Sequence, residues 1–163
     1  DTRMTIAELL RENEIVIKRS TCSKNEAIDL LIGLHNKAGD IENVEVFKEA
    51  VLERESRGST AVGKGIAVSY GVCACVKKPG FSVLISHEGV DYDSLDGKLS
   101  HIIFMLSIPE GEDSLRLDIM LRIMVIFSDA KFYESMAKIN TVKDFIQAVS
   151  DEENEKYVKW SER

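Results

Sequence analysis

The sequence predicts a domain of mixed α and β structure, because helical and strand-like patterns occupy different parts of the chain. Apolar residues recur at helical spacing in residues 23–55 and again in residues 117–149. Between these parts, residues 58–108 contain short runs rich in valine, alanine, glycine and aromatic residues, which are typical of strands. A chain of 163 residues with 44% apolar content is long enough to bury one substantial core.

Two helices are predicted in the N-terminal part. Ser23 and Glu26 have the spacing of a capping box, in which each side chain bonds the backbone N–H of the other residue. The helix that follows has its apolar residues on one face, and Gly39 predicts its end. A second helix, with charged residues on its outer face, is predicted over residues 43–55.

Three strands are predicted in the central part. Residues 66–70 and 81–85 are short runs with high strand propensity. Residues 101–108 are apolar at nearly every position, which indicates a strand buried on both faces. We therefore expect this last strand to be central in the sheet.

The C-terminal third returns to helix. Residues 117–127 are apolar almost all round, which predicts a deeply packed helix. Asp129 and Thr141 are candidate N-caps of two further helices. We expect a single domain over residues 1–150, followed by a charged, solvated C-terminal tail over residues 151–163.

The charge of the chain argues against a dedicated nucleic-acid-binding surface, because the formal net charge is −7. The longest uncharged apolar stretch, residues 102–109, is far shorter than the roughly 20 residues that a membrane helix needs. The N-terminal residues do not have the pattern of a signal peptide. We therefore expect neither nucleic-acid binding nor membrane insertion.

The cysteines predict a reduced protein in the cytoplasm. Cys22, Cys73 and Cys75 cannot all pair with one another, and reduced thiols explain an odd number most simply. In an alternating strand, Cys73 and Cys75 would share one face. The three histidines lack the spacings of a zinc finger, so we expect no metal and no cofactor.

One segment carries a specific resemblance to a known family. Its residues are Arg54-Glu55-x-x-Gly58-Ser59-Thr60-x-x-Gly63-x-Gly65-Ile66-Ala67-Val68. This run resembles the signature of the enzyme IIA domain, fructose/mannitol type, of the bacterial phosphoenolpyruvate-dependent sugar phosphotransferase system. That family also includes the nitrogen-regulatory IIA proteins. The similarity covers roughly residues 4–149 and continues in five further segments: Val76–Pro79, Glu88–Gly97, His101–Phe104, Pro109–Gly111 and Ser128–Phe132.

The resemblance implies a compact α/β domain, with a mixed β-sheet flanked by helices on both faces. In the family, a histidine after the Gly-Ile-Ala strand takes a phosphoryl group from the histidine phosphocarrier protein and passes it to a IIB domain. Here the strand reads Gly65-Ile66-Ala67-Val68-Ser69-Tyr70, so Tyr70 stands at the position of that histidine. Ser69 stands at the position of the preceding proline.

The change from histidine to Tyr70 predicts a loss of phosphoryl transfer. A neutral imidazole is nucleophilic at pH 7, whereas a tyrosine hydroxyl, with a pKa of about 10, is almost wholly protonated. We therefore expect a phosphorylation-silent module that binds or regulates a partner. That partner would be the histidine phosphocarrier protein and a IIB domain, or a regulatory protein. The alternative is an active phosphocarrier whose acceptor is His101.

Other positions match the family in part. Arg54 matches an arginine near the phosphorylated histidine, and its guanidinium suits a phosphate oxygen. His101 matches a second active-site histidine, so we expect His101 and Tyr70 in one shallow cleft with Arg54 at its rim. Ser59, Thr60 and Lys64 are further candidate phosphate-binding residues.

Three of these residues also have ordinary structural interpretations. Arg54 could cover the helix surface and pair with Glu53 or Glu55. His101 could be a hydrogen-bonded structural histidine, and Tyr70 could be a strand aromatic that fills a vacated cleft. Arg116 stands where carbohydrate-specific members commonly have a histidine.

Overall fold

The computed structural model describes residues 4–161, with side chains up to residue 157. The helices and strands follow one another in the order α1 (Ile6–Leu9), a 3₁₀ turn (Glu12–Glu14), β1 (Ile15–Lys18), α2 (Lys24–Ala38), α3 (Val44–Ser56), β2 (Ala61–Gly63), β3 (Ile66–Val72), β4 (Gly80–Val90), β5 (Ser100–Ile108), α4 (Asp113–Ile126), α5 (Ala130–Ala137) and α6 (Val142–Ser161).

The five strands form one mixed sheet in the order β1-β4-β5-β3-β2. The pairs β1–β4 and β3–β5 are parallel, whereas β4–β5 and β2–β3 are antiparallel. β5 lies in the middle of the sheet and is buried on both faces, as its apolar sequence predicted. The predicted α/β class and mixed sheet are confirmed.

Helices cover both faces of the sheet and produce two hydrophobic clusters. Alternate residues of β5 divide between them, because successive side chains of a strand point to opposite faces. Phe104 packs with residues of α1, α4, α5 and α6, whereas Ile103 and Met105 pack with residues of α2 and α3. The site described below lies where α3 and α4 approach β3 from these two layers.

The start and end of α2 follow the sequence prediction. Ser23 Oγ accepts the N–H of Glu26 and Glu26 Oε1 accepts the N–H of Ser23, both at 3.1 Å. The C-cap residue, Gly39, has φ 80°, a left-handed conformation that glycine adopts without a Cβ clash. α3 begins after Asn43, whose side chain accepts the N–H of Val46.

The prediction that residues 117–127 form a deeply packed helix is wrong for one face of α4. Leu117 and Leu121 are 58% and 59% exposed, whereas Ile119 and Ile123 are buried. The reason is geometric: the sheet and α6 cover only one side of the helix. Residues spaced four apart on the other side stay at the surface.

The prediction of a solvated tail over residues 151–163 is wrong for the described part, because α6 continues to Ser161; residues 162–163 lie outside the described residues. Glu153 is only 2% exposed and accepts the N–H groups of Ile6 and Ala7 at the start of α1. Arg122 of α4 forms a salt bridge with the same carboxylate at 3.2 Å. A run of charged residues therefore contains one side chain that joins three helices.

The prediction of three reduced cysteines is wrong for two of them. β3 ends at Val72, so Cys73 and Cys75 lie in the following turn rather than on one face of a strand. Their Cα atoms are 5.2 Å apart, within the range of a disulfide, and the two sulfurs are bonded. Cys22 is a free thiol.

Within residues 4–161, no helix combines the length and the hydropathy that crossing a membrane would require.

Candidate functional site

Tyr70 lies near the carboxyl end of β3 between two arginines. Arg54, in the last turn of α3, donates from Nε to the phenol oxygen of Tyr70 at 3.0 Å. The same guanidinium donates from another nitrogen to the carbonyl of Gly58 at 2.8 Å, which fixes its direction. The guanidinium carbon of Arg116, from α4, lies 4.6 Å from the centre of the Tyr70 ring. The phenol is therefore enclosed by two permanent positive charges.

A cavity of about 370 Å³, which we call the Tyr70 cleft, opens beside this group. It is lined by Val46, Glu49, Ala50, Glu53, Arg54, Arg57, Tyr70, Val72 and Cys73. Glu53 pairs with Arg57 at 3.4 Å, so this carboxylate does not take the charge of Arg54. The interpretation of Arg54 as a surface residue paired with a neighbouring glutamate is therefore wrong. Arg54 points to Tyr70.

Glu55, the other charged residue of the motif, connects α3 to the sheet. Its Oε2 accepts the hydroxyls of Thr60, at 2.5 Å, and Ser69, at 2.8 Å. Its Oε1 lies 3.0 Å from the ammonium of Lys24. These contacts hold α3 against β3, and they thereby place Arg54 opposite Tyr70. Glu55 belongs to the signature, but its positioning role depends on contacts with Thr60, Ser69 and Lys24 that the motif alone does not reveal.

The expected pairing of Tyr70 with His101 is not present. Ile102, next to His101, pairs with Ile66, whereas Tyr70 pairs with Leu106, four positions further along the same parallel strands. At about 3.3 Å per residue, this offset separates the two sites by roughly 13 Å. His101 does not line the Tyr70 cleft. The prediction of one shared cleft is therefore wrong.

His101 instead lines a separate cavity of about 750 Å³, which we call the His101 cavity. It is lined by Lys64, Gly65, Gly97, Lys98, Leu99, His101, Phe127, Ser128, Ala130, Tyr133 and Glu134. The Nδ1 atom of His101 lies 3.0 Å from the carbonyl oxygen of Ser86. A carbonyl only accepts, so Nδ1 carries the proton and Nε2 of the neutral ring has a lone pair. His101 is thus hydrogen-bonded on one side only.

Tyr133 closes one side of the His101 cavity. Its hydroxyl donates to the carbonyl of Gly65 at 2.9 Å, and burial raises the pKa of Tyr133 to about 12. Gly65 has φ 77°, and a Cβ at this position would lie 1.8 Å from the Tyr133 hydroxyl oxygen. The glycine of the Gly-Ile-Ala motif is therefore required both by its backbone conformation and by the approach of α5.

The candidate phosphate-binding residues do not form one site. Ser59 donates its hydroxyl to the carbonyl of Tyr92, and Thr60, which is 4% exposed, donates to Glu55. Lys64 lines the His101 cavity, and its backbone N–H donates to Asp96. Of the four candidates, only Arg54 lies in the Tyr70 cleft, because the loop hydroxyls are used to hold the loop itself.

Asp96 organises the loop on the other side of Lys64. Its carboxylate accepts the hydroxyl of Ser94 and the backbone N–H groups of Lys98 and Lys64. These hydrogen bonds to the charged form lower the pKa of Asp96 to about 2.

Comparison with known proteins identifies the class to which this fold and this motif belong. Residues 8–152 match the family described as phosphoenolpyruvate-dependent sugar phosphotransferase system, EIIA 2. This chain therefore belongs to the type 2 IIA domains of the phosphotransferase system, as the sequence motifs predicted.

Sequence similarity to a fructose-specific protein of the same system supports the family assignment. The fructose-specific EIIABC component of Bacillus subtilis is 36% identical over 123 residues, which is 76% of this chain. The matched segment is 19% of that protein, so this chain spans about a fifth of its length.

Two solved structures have the same fold. The nitrogen regulatory protein IIA-Ntr of Neisseria meningitidis is 26% identical, with a TM-score of 0.81, over 88% of this chain and 98% of that one. A IIA mannitol domain of Escherichia coli, solved in complex with phosphorylated IIB, is 22% identical, with a TM-score of 0.76. That match covers 87% of this chain and 97% of the E. coli chain, and at this identity it supports the fold alone.

Proposed function

We propose that this IIA domain is phosphorylation-silent: it binds a partner of the phosphotransferase system, or a regulatory protein, without accepting a phosphoryl group. The observation that carries the proposal is the chemistry of the Tyr70 cleft. Its lining residues include arginines and a phenol but no imidazole. A phenol is a poorer acceptor of a phosphoryl group at pH 7 than an imidazole, and the oxygen of Tyr70 already accepts a hydrogen bond from Arg54.

The two arginines explain how such a domain could still recognise a phosphorylated partner. Arg54 and Arg116 keep positive charge around the Tyr70 ring, and Nε of Arg116 is buried without a hydrogen bond. Guanidinium groups form strong, charge-assisted hydrogen bonds with phosphate oxygens. A phosphohistidine presented to the Tyr70 cleft would therefore be attracted and held, with no acceptor to complete the transfer. The partner classes are a histidine phosphocarrier protein, a IIB domain or a regulatory protein, and the proposed location is the cytoplasm.

A second function is favoured by one specific observation at His101. His101, whose Nδ1 faces a carbonyl so that Nε2 holds the lone pair of the neutral ring, and Lys64 both border the His101 cavity. A neutral imidazole beside a cation is suited to accept a phosphoryl group. In this alternative, the domain is an active phosphocarrier with its acceptor outside the Tyr70 cleft.

Intact-mass measurement after incubation with phosphoenolpyruvate, enzyme I and the histidine phosphocarrier protein distinguishes the two functions. We expect no mass gain for the wild-type chain. One acid-labile phosphoryl group on the wild type, absent from His101→Gln, would establish the alternative. A phosphoryl group that persists in His101→Gln and is absent from Tyr70→Phe would assign the acceptor to Tyr70 and contradict both functions.

A further inference from the structure

A buried polar cluster lies at the C-terminal end of α2, and its residues line neither of the two cavities described above. It consists of Glu14 from the 3₁₀ turn, His35 from the last turn of α2, and Asp40 just after α2. The side chains of all three are at most 1% exposed. Nδ1 of His35 lies 3.0 Å from Oδ2 of Asp40 and 3.5 Å from Oε2 of Glu14. We call these three residues the Glu14–His35–Asp40 cluster.

The hydrogen bond on the other side of the imidazole fixes which nitrogen faces the carboxylates as a ligand. Nε2 of His35 lies 3.0 Å from the carbonyl oxygen of Met105 in β5. Because a carbonyl only accepts, Nε2 carries a proton. Nδ1 therefore either donates a second proton to Asp40 or, where a metal ion takes the place of that proton, binds the ion through its lone pair. Metal-binding histidines in proteins characteristically donate their other N–H to a carbonyl or a carboxylate in this way.

The carboxylates have too few hydrogen-bond donors for their burial. Both oxygens of Glu14 and Oδ1 of Asp40 are buried and have no hydrogen-bond partner. Burying an ionised carboxylate without hydrogen bonds or a counter-charge is strongly unfavourable. Oε2 of Glu14 lies 3.5 Å from Nδ1 of His35, so this unpartnered oxygen is available to a cation bound in the cluster.

The nearest basic side chains each approach one oxygen of a carboxylate and leave its other oxygen without a nearby cation. Arg11 lies 3.8 Å from Oε1 of Glu14 and 3.8 Å from Oδ1 of Asp40, and Lys78 lies 4.0 Å from the same Oδ1. Neither cation is within 4.0 Å of Oε2 or Oδ2 in the described ion pairs. These are the two oxygens that face Nδ1 of His35. Arg11 and Lys78 are both roughly half-exposed, so they lie between the buried cluster and the solvent.

We propose that Nδ1 of His35, Oδ2 of Asp40 and Oε2 of Glu14 form a binding site for a divalent transition-metal ion, with Zn²⁺ the best fit. Metal–ligand bonds of about 2.0–2.1 Å in a tetrahedron require ligand atoms roughly 3.3–3.4 Å apart. The observed separations of 3.0 and 3.5 Å from Nδ1 bracket this value. Water would supply the fourth ligand.

The donor set and the local packing favour this ion class over others. One imidazole with two carboxylates suits Zn²⁺ and Co²⁺, whereas Ca²⁺ takes six to eight oxygens and Mg²⁺ prefers an octahedron of oxygens. Gly80 provides the space that Asp40 needs, because a Cβ at that position would lie 2.2 Å from Oδ2. The ion would join the 3₁₀ turn, the end of α2 and, through His35, the central strand β5. The sequence predicted no metal here, because the three ligands do not have the spacing of a known motif.

A bound proton is the competing explanation of the cluster. Burial and a hydrogen bond with the carboxylate of Asp40 raise the pKa of Glu14 well above its ordinary value, so a proton on Glu14, shared with Asp40, is the alternative to a metal ion. A metal ion and a proton make different predictions for Zn²⁺ titration and for the spectrum of the His35 ring.

The test begins with wild-type protein that has been treated with a chelator, dialysed and then titrated with Zn²⁺ alone by calorimetry. We expect one saturable site. Glu14→Gln and Asp40→Asn, which keep the shape of each side chain, should each weaken Zn²⁺ binding at least about tenfold. The matched controls Cys22→Ser and His87→Ala remove other zinc-binding groups and should leave the affinity unchanged. Replacement by Co²⁺ should give the intense visible bands of a four-coordinate site.

A measurement on the unmodified protein keeps the test independent of variant folding. In a long-range ¹H–¹⁵N spectrum, Zn²⁺ should shift Nδ1 of His35 and leave the ring nitrogens of His87 and His101 unchanged. Absence of saturable binding, or a Zn²⁺-induced shift at the other histidines with none at His35, would overturn the proposal. An affinity unchanged in a folded Glu14→Gln/Asp40→Asn double variant would overturn it equally and leave the proton as the occupant.

Discussion

Replacing Glu153 with alanine removes the carboxylate that connects the two ends of the domain. This carboxylate accepts the N–H of Ile6 at 2.8 Å, the N–H of Ala7 at 3.1 Å and Nε of Arg122 at 3.2 Å. Ile6 and Ala7 are the first residues of α1, where N–H groups have no partner within the helix. Glu153→Ala therefore leaves two helix-end donors and one guanidinium without their acceptor.

The surroundings of Arg122 determine how much the free energy of unfolding should fall. Removing one partner of a buried ion pair costs about 3–5 kcal/mol, because the other charge stays desolvated. Arg122 is 12% exposed and stacks on the ring of Tyr157 at 3.8 Å, so it can turn partly toward water. We therefore expect the lower end of the range, about 3 kcal/mol. For a domain of this size, that corresponds to a fall in Tm of roughly 6–12 °C.

Urea denaturation followed by circular dichroism measures this change as a shift in midpoint at constant slope. The matched control is Asn154→Ala, an exposed position on the same helix, which should stay within about 0.5 kcal/mol of wild type. In a double-mutant cycle, Arg122→Ala should be less costly in the Glu153→Ala background than in the wild type. A loss below about 0.5 kcal/mol for Glu153→Ala would refute this reasoning and support a solvated C-terminal segment.

Three further predictions follow from the loops and the cleft. Gly65→Ala should destabilise the fold by about 2–3 kcal/mol, because it strains a positive φ and displaces the hydroxyl of Tyr133. The control Gly97→Ala, at φ 73° and with no atom within 4 Å of the added Cβ, should cost only about 1 kcal/mol in the same urea titration. The pKa of Asp96 is about 2 in the fold against 3.8 for an unperturbed aspartate, so its contribution to stability is present above pH 4 and is lost as the pH falls toward 2. Asp96→Asn should flatten that part of the stability–pH curve, and an unchanged curve would contradict the assignment. Tyr70→His should gain an acid-labile phosphoryl group from the phosphocarrier protein, because positioning and charge stabilisation come from other groups, whereas a folded but inert variant would show that the partner surface has also changed.

The single-residue form of the last variant is preferable to one that also restores the family's proline. Ser69 is buried and donates its hydroxyl to Glu55 at 2.8 Å. Ser69→Pro would remove this hydrogen bond and loosen the contact between α3 and β3, which positions Arg54. A double variant could therefore lose transfer for a reason unrelated to the acceptor.

Local sequence patterns predicted the elements whose causes are local. The capping box of Ser23 and Glu26, the left-handed stop at Gly39 and the apolar pattern of β5 each depend on residues close in sequence. The family assignment was also accessible from the sequence, because its motif residues are specific in kind and in spacing.

The wrong predictions concern contacts between residues that are distant in sequence. A charged run gives no sign that Glu153 will meet the first turn of α1, since 147 residues separate Glu153 from Ile6. The distance between Tyr70 and His101 depends on the register of β3 and β5, which a resemblance between motifs does not specify. The pairing of Cys73 with Cys75 depends on where β3 ends, and strand boundaries are poorly defined by sequence patterns.

Under the proposed function, the Tyr70 cleft binds a phosphorylated partner without taking its phosphoryl group. The most direct test is native mass spectrometry of the wild-type chain mixed with phosphorylated histidine phosphocarrier protein, followed by dissociation of the complex. We expect a complex that contains both chains, with the phosphoryl group still on the carrier after dissociation. A phosphoryl group found on this chain, or no complex at concentrations where Tyr70→His forms one, would contradict it.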